Sequence, residues 1–351
     1  MDVLAVFPSR SIAQISGEGK EIGVEIVVRS GTAPNTVEKC RKISDLGNGL
    51  DLFSGSVNMQ ELELLISRIP GMEPFSRTLS TGILNRLRRK KFVPELMGIV
   101  NTTPDSFYPG SRISPGDTAA LDAMIDEKPD IIDIGGESTR PGSLPVTVEV
   151  ELARIKPAIE YVSSSTDIPI SVDTTKPRVL EGVLDYNVKY ANDISGFADP
   201  GMALLSSEHD LRYILMHMRG TPENMQQLSV YKDAVAEIMT FFYGKVAELT
   251  NFGLSLDQII VDPGIGFAKT PETNIDLVRH ISSLNMGLDL LVGTSRKSFM
   301  KKISGTEPER RLYGTLASSI YLMEHGVNIL RLHDVSANRE ALKNYSMISG
   351  Y

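Results

Sequence analysis

Between Met97 and Asp334 a short apolar run ending in polar or glycine residues occurs eight times, and this alternation constrains the fold more than any other feature of the chain. The runs end at Asn101, Gly135-Gly136-Glu137, Asp173, Asn192-Asp193, His217, Asp262, Gly293-Thr294-Ser295-Arg296-Lys297 and His333-Asp334. Stretches with helical spacing follow them, at 117–127, 147–163, 177–186, 201–207, 229–251, 271–284, 307–325 and 336–345. Apolar runs this short, alternating with helices, read as buried parallel strands. Eight such units close a barrel, so the expected fold class is α/β, a (β/α)8 TIM barrel. In that architecture the polar residues at the strand ends converge on one mouth, where such barrels carry their chemistry.

Residues 1–93 do not follow this pattern and are expected to form a small α+β N-terminal domain preceding a barrel over 94–351. Val3 to Phe7 and Glu21 to Arg29 read as strands, the second with Ile22, Val24, Ile26 and Val28 in period two. A helix is expected from Val57 to Ile69, capped near Ser56 or Asn58 and stopped by Pro70-Gly71. No catalytic motif is visible there. The basic run Arg86, Arg88, Arg89, Lys90 and Lys91 reads as a solvated helix face leading into the linker.

Composition narrows the function classes. A net charge of −8 argues against a nucleic-acid binder, and an anionic ligand would need a local basic pocket. Cys40 is the single cysteine, which excludes an internal disulfide and suits a reducing compartment. No apolar run has the length of a membrane span, and the first residues lack the features of a signal peptide, so a cytoplasmic protein without membrane contact is expected.

The strand ends supply a specific chemistry. Asp173, Asn192 and Asp262 can read the amide-and-amine edge of a flat heterocycle through paired hydrogen bonds. Lys297 after strand seven, Arg331 and His333 at strand eight and Arg140 after strand two form a cationic group where barrels of this type commonly bind phosphate. Asn101 either shapes its own loop or offers Mg2+ a neutral oxygen beside a phosphate. Gly264 to Thr270 superficially suggests a phosphate loop, but Ala268 stands where that motif needs glycine. The long loop after strand one, 102–115, is a candidate lid.

The blocks Asn101-Thr102-Thr103-Pro104-Asp105-Ser106-Phe107, Gly135-Gly136-Glu137-Ser138-Thr139-Arg140-Pro141-Gly142 and Ser171-Val172-Asp173-Thr174 carry a resemblance. So do Asn192-Asp193-Ile194-Ser195-Gly196, Met216-His217-Met218-Arg219-Gly220, Asp262-Pro263-Gly264-Ile265-Gly266-Phe267, Ser295-Arg296-Lys297-Ser298 and Arg331-Leu332-His333-Asp334. Over roughly 95–345 the chain resembles the dihydropteroate synthases, folate-pathway enzymes with a pterin-binding barrel. That resemblance implies joining (7,8-dihydropterin-6-yl)methyl diphosphate to 4-aminobenzoate with release of pyrophosphate. It assigns the pterin to Asp173, Asn192, Asp262 and Lys297, with Met216, Gly266 and Phe267 around it and Arg331 near the ring. Thr139, Arg331 and His333 would contact phosphate oxygens, with Arg140 nearby, and Asn101 would hold Mg2+. Phe107, Thr139, Pro141 and Ser298 would shape the arylamine site, and Asp105 and Arg140 would complete the closed state. Family members are commonly homodimers. The sequence departs from the family after Phe107, where Tyr108-Pro109-Gly110-Ser111 stands, and at Ala268. A pterin-dependent methyltransferase and a repurposed or non-catalytic pterin binder are the alternatives. The first has no need of the Ser-Arg-Lys-Ser block.

Overall fold

The computed structural model describes residues 3–10, 15–16, 21–31, 40–88, 92–103, 118–300 and 309–350. Eight parallel strands close the barrel: β6 (Glu95–Asn101), β7 (Ile131–Gly135), β8 (Ile170–Asp173), β9 (Val188–Asp193), β10 (Arg212–Met216), β11 (Ile259–Asp262), β12 (Asp289–Val292) and β13 (Ile329–Leu332). The last strand pairs with the first, Leu330 against Leu96. Each of the eight apolar runs is therefore a strand, as expected. Met97, Ile131, Tyr190, Ile214, Ile260, Leu291 and Ile329 meet inside the barrel as one apolar layer below the mouth. Placing bulky side chains there makes the interior a packed floor and leaves the polar strand ends above it.

Four of the described helices around the barrel begin at a capping side chain, Thr147, Asp199, Asp233 and Thr270. Asp233 accepts from Ala236 N–H and starts α7 (Ala234–Asn251), so the helix begins later than the expected Ser229. The expected helix over 271–284 is α8 (Pro271–Arg279) followed by a 3-10 turn at Ile281–Leu284. The remaining barrel helices are α3 (Ala119–Asp126), α4 (Val148–Ser165), α5 (Pro177–Glu181), α6 (Pro200–Glu208), α9 (Leu312–Glu324) and α10 (Val335–Ser349).

Ahead of the barrel lies an antiparallel sheet of β1 (Val3–Pro8), β2 (Ile15–Ser16), β3 (Glu21–Arg29), β4 (Arg41–Gly47) and β5 (Leu50–Val57), in the order β1-β3-β5-β4 with β2 beside β3. Two helices follow. In α1 (Met59–Ser67) Asn58 and Glu61 form a reciprocal capping box, and α2 (Ser76–Arg88) leads toward the barrel. The sheet runs along α7, where the Tyr243 hydroxyl donates to the Val6 carbonyl at 2.8 Å. Helix α2 lies against the end of the barrel opposite the mouth. A Cβ on Gly82 would come within 2.7 Å of the Gly287 carbonyl, so this backbone approach requires glycine. Arg86, from the expected solvated face, instead pairs with Asp289 and Asn328 at the starts of β12 and β13. Arg89, Lys90 and Lys91 lie outside the described residues.

Candidate active site

Strand register builds the site. Asn101, Gly135, Asp173 and Asn192 stand in one row across β6, β7, β8 and β9. Gly135 keeps the row open, because a Cβ there would lie 3.2 Å from the Asp173 Cβ. Across the barrel Met216 pairs with Asp262, which fixes those two at neighbouring strand ends.

Arg331 ties the floor together. Its Nε donates to Asp133 at 2.6 Å and its Nη2 to Asp173 at 2.7 Å. Asn192 Nδ2 also donates to Asp133, at 3.2 and 3.3 Å. Asp133 is completely buried, so it needs these partners. The sequence reading gave it no role. The signal was present, since a carboxylate in the middle of an apolar strand must have a counter-ion when the barrel closes.

The opposite wall carries Lys297, whose ammonium donates to the Ile265 carbonyl and lies 4.9 Å from the centre of the Phe267 ring. Its side chain passes Gly266, where a Cβ would come within 3.1 Å of Lys297 Cδ. Asp262 accepts from Gly264 N–H at 2.8 Å. Met216 and Phe267 pack in an apolar cluster with Ile194, Met218, Met225 and Ala268. Ala268 has a φ of 47°, a left-handed backbone that a glycine would adopt more easily. The sequence departure at this position therefore carries strain.

Burial and neighbouring charges shift the site's titrations. Desolvation raises Asp173 to about 7, with Arg331 pulling it down and Asp133 pushing it up. Burial lowers Lys297 to about 8, while Asp262 opposes that shift. Desolvation also raises Asp262, against the pull of Lys297, the Gly264 N–H, Arg331 and Lys269. His333 is lowered to about 4 by burial and by Arg331. It was grouped with the cations on sequence grounds, but the structure makes it a neutral partner of Ser295, whose Oγ lies 3.0 Å from Nδ1. Such shifts cluster where substrates bind.

The structure thus gathers Asp173, Asn192, Met216, Asp262, Gly266, Phe267, Lys297, Arg331 and His333 at one mouth, with Asn101 in the same row as Asp173. Thr139, Arg140 and Pro141 lie on the loop after β7, which is joined to the loop after β10 by Gly142 N–H donating to the Pro222 carbonyl at 2.9 Å. Ser298 is exposed on a 3-10 turn after β12. These four belong to the surrounding loops. Asp105 and Phe107 lie outside the described residues, as does most of the candidate lid.

Comparisons with known proteins identify the family. A family model described as pterin binding enzyme matches residues 97–333. The dihydropteroate synthase of Synechocystis sp. is 43% identical over 290 residues, covering 81% of this chain and 98% of that protein. The chain belongs to the dihydropteroate synthase family. The Yersinia pestis dihydropteroate synthase, solved with a sulfonamide drug complex, superposes with a TM-score of 0.69 at 34% identity, covering 74% of this chain and 95% of that one. The Clostridium difficile dihydropteroate synthase, solved in the presence of pteroic acid, has a TM-score of 0.65 and 38% identity over 74% of this chain and 97% of its own. The family region spans the barrel, and residues before Met97 lie outside the matched segment.

Proposed function

We infer that this chain catalyses the dihydropteroate synthase reaction, a transferase step of folate biosynthesis joining (7,8-dihydropterin-6-yl)methyl diphosphate to 4-aminobenzoate. The observation that carries this is the meeting of Asp173, Asn192, Asp262, Lys297 and Arg331 at one mouth, in a chain of this family. A flat ring with N–H donors suits the two carboxylates and the amide, and the diphosphate suits Lys297 and Arg331. In the reaction the C–O bond from the pterin methylene to the diphosphate breaks, and its electron pair leaves on pyrophosphate. The amine nitrogen forms the new C–N bond and loses a proton to solvent. Asp173, ionised and beside the ring, stabilises positive charge developing on the methylene. Neutral His333 serves as a hydrogen-bond partner for a phosphate oxygen, together with Thr139. Arg140 and Asp105 complete the loops around the leaving group, and Phe107, Pro141 and Ser298 line the arylamine side.

Mg2+ belongs to this reading. Asn101 supplies one neutral oxygen at a strand end, and the described residues contain no cluster of three or more His, Cys, Asp or Glu side chains that could hold a metal. A single amide ligand suits an ion that keeps most of its waters and takes phosphate oxygens from the substrate. Bound there, Mg2+ would neutralise charge on the departing diphosphate. The related enzyme solved with a sulfonamide supports arylamine analogues as competitors for the same side of this mouth. A homodimer in the cytoplasm completes the reading. It is supported by the apolar side chains left exposed on the outer helices, Tyr313, Met347 and Ile348, and sedimentation velocity would test it.

The deciding assay measures pyrophosphate release from the dihydropterin diphosphate with Mg2+, with and without 4-aminobenzoate. Amine-dependent release with formation of 7,8-dihydropteroate is the expected result. Pterin binding with no amine-dependent product would leave a repurposed binder in its place.

A further inference from the structure

Lys269 is a buried lysine, 4% exposed, next to the pterin-facing wall but absent from the substrate contacts assigned above. Its ammonium lies 2.9 Å from the Phe267 carbonyl, 3.0 Å from the Gly264 carbonyl and 3.2 Å from the His217 carbonyl. It also lies 3.1 Å from His217 Nδ1. An ammonium has no lone pair, so its three N–H groups are shared among these four acceptors, His217 Nδ1 included. Three backbone carbonyls from two loops thus converge on one side chain. Gly264 permits the approach, since a Cβ there would come within 2.2 Å of the His217 carbonyl.

We propose that Lys269 is a positioning residue for the pterin, pinning the loop after β11 to the loop after β10 and backing the Asp262 carboxylate with a fixed cation. The loop connections tie it to both substrate-facing groups. Gly264, whose carbonyl it holds, donates its N–H to Asp262, and Phe267, whose carbonyl it also holds, presents its ring to Lys297. The electrostatics run the same way. Burial lowers Lys269 to about 7, with Asp262 opposing the shift and Lys297 and Arg219 adding to it. The cation is therefore present below about pH 7, where it favours the charged form of Asp262 against the burial that pushes this carboxyl toward the neutral acid, a weaker acceptor for the ring edge. The other groups facing this pair are Lys297 and Arg331 on Asp262, and His217, Arg219 and the Tyr231 ring on Lys269. Burial, Lys269 and Arg219 hold His217 well below its ordinary value, so it stays neutral across this range.

The inference rests on the reading that this mouth binds a pterin. Pteroic acid binding by calorimetry, read against pH on the full chain, tests both separately. Wild-type protein that does not bind pteroic acid overturns the pterin reading and this proposal with it. With binding established, Lys269→Met is expected to weaken affinity roughly tenfold at about pH 6, with the gap closing toward about pH 8. In turnover, KM for the dihydropterin diphosphate rises while KM for 4-aminobenzoate is unchanged. Lys269→Gln, which keeps donors for two of the carbonyls without the charge, gives the same pH-dependent gap and serves where the methionine variant does not fold. An equal loss of affinity at every pH, a matching rise in both KM values, or wild-type behaviour overturns the proposal.

Discussion

Two arginines in this molecule are each held between two carboxylates, and they do opposite jobs. Arg10, at the end of β1, meets Glu25 through Nε at 3.0 Å and Nη2 at 2.5 Å. It meets Asp233, the cap of α7, at 2.9 and 2.7 Å, and its backbone N–H also donates to Glu25, at 2.8 Å. Both carboxylates there are bonded twice or more, and the seam between the N-terminal sheet and the barrel is locked. Arg331 gives Asp133 and Asp173 one bond each. Asn192 supplies the rest for Asp133, whereas Asp173 accepts only from Arg331 among the described residues. The same side-chain inventory makes a structural clamp when saturated and leaves acceptor capacity to spare when one carboxylate is short of donors.

The strongest challenge to this contrast is Arg331→Leu. It leaves Asp133 fully buried without its cation, so the expected loss is roughly 3–5 kcal/mol of stability by denaturant titration together with loss of turnover. Next comes Asp173→Asn, which keeps the shape but removes the charge. Turnover should fall roughly 100- to 1000-fold while affinity for the diphosphate changes little, and equal losses in both would count against a role in the reaction step. Asp173 also sets a pH dependence. Its folded value lies above the 3.8 of an unfolded carboxyl, so its contribution to stability is full below about pH 4 and is lost as pH rises through about 7. Activity moves the other way: kcat/KM should climb as Asp173 ionises toward about pH 7, and the asparagine variant should lack that limb. Arg10→Leu at the seam should cost roughly 2 kcal/mol, reduced from a fully buried pair because the arginine is partly exposed, with both KM values unchanged. A change in KM there would mean that the seam reaches the mouth. The smallest effect is expected at Ala268→Gly, which relieves the left-handed backbone and should raise stability by up to about 1 kcal/mol, read as a small rise in Tm.

The barrel was legible in the sequence because each strand is an apolar run that ends in a chemically distinctive residue, and closure leaves those ends nowhere to go except one rim. Asp173, Asn192, Asp262 and Lys297 could be picked out for that reason. Asp133 announced only that it needs a counter-ion, and Lys269 gave no signal of its role, since the partners lie nearly two hundred or some fifty positions away and only the closed barrel brings them together. In the N-terminal region β1, β3 and α1 were readable from apolar patterning and a candidate cap near Ser56 or Asn58. β4 was not: Arg41 to Ser44 are exposed, so no alternation marks them. β5 carries Gly55 and two serines, which weaken a strand signal, and α2 is too polar for an apolar stripe to stand out. Arg86 looked solvated because its partners, Asp289 and Asn328, lie more than two hundred residues further along the chain.

Because Asp133 draws its donors from both Arg331 and Asn192, and Arg331 also holds Asp173, the base of this mouth should tolerate little substitution. Removing Arg331 strands buried Asp133, whereas exposed positions such as Pro141 and Ser298 can change without orphaning a buried charge. On the proposed function, new preferences for one arylamine over another should therefore arise at the rim and leave this base as it is.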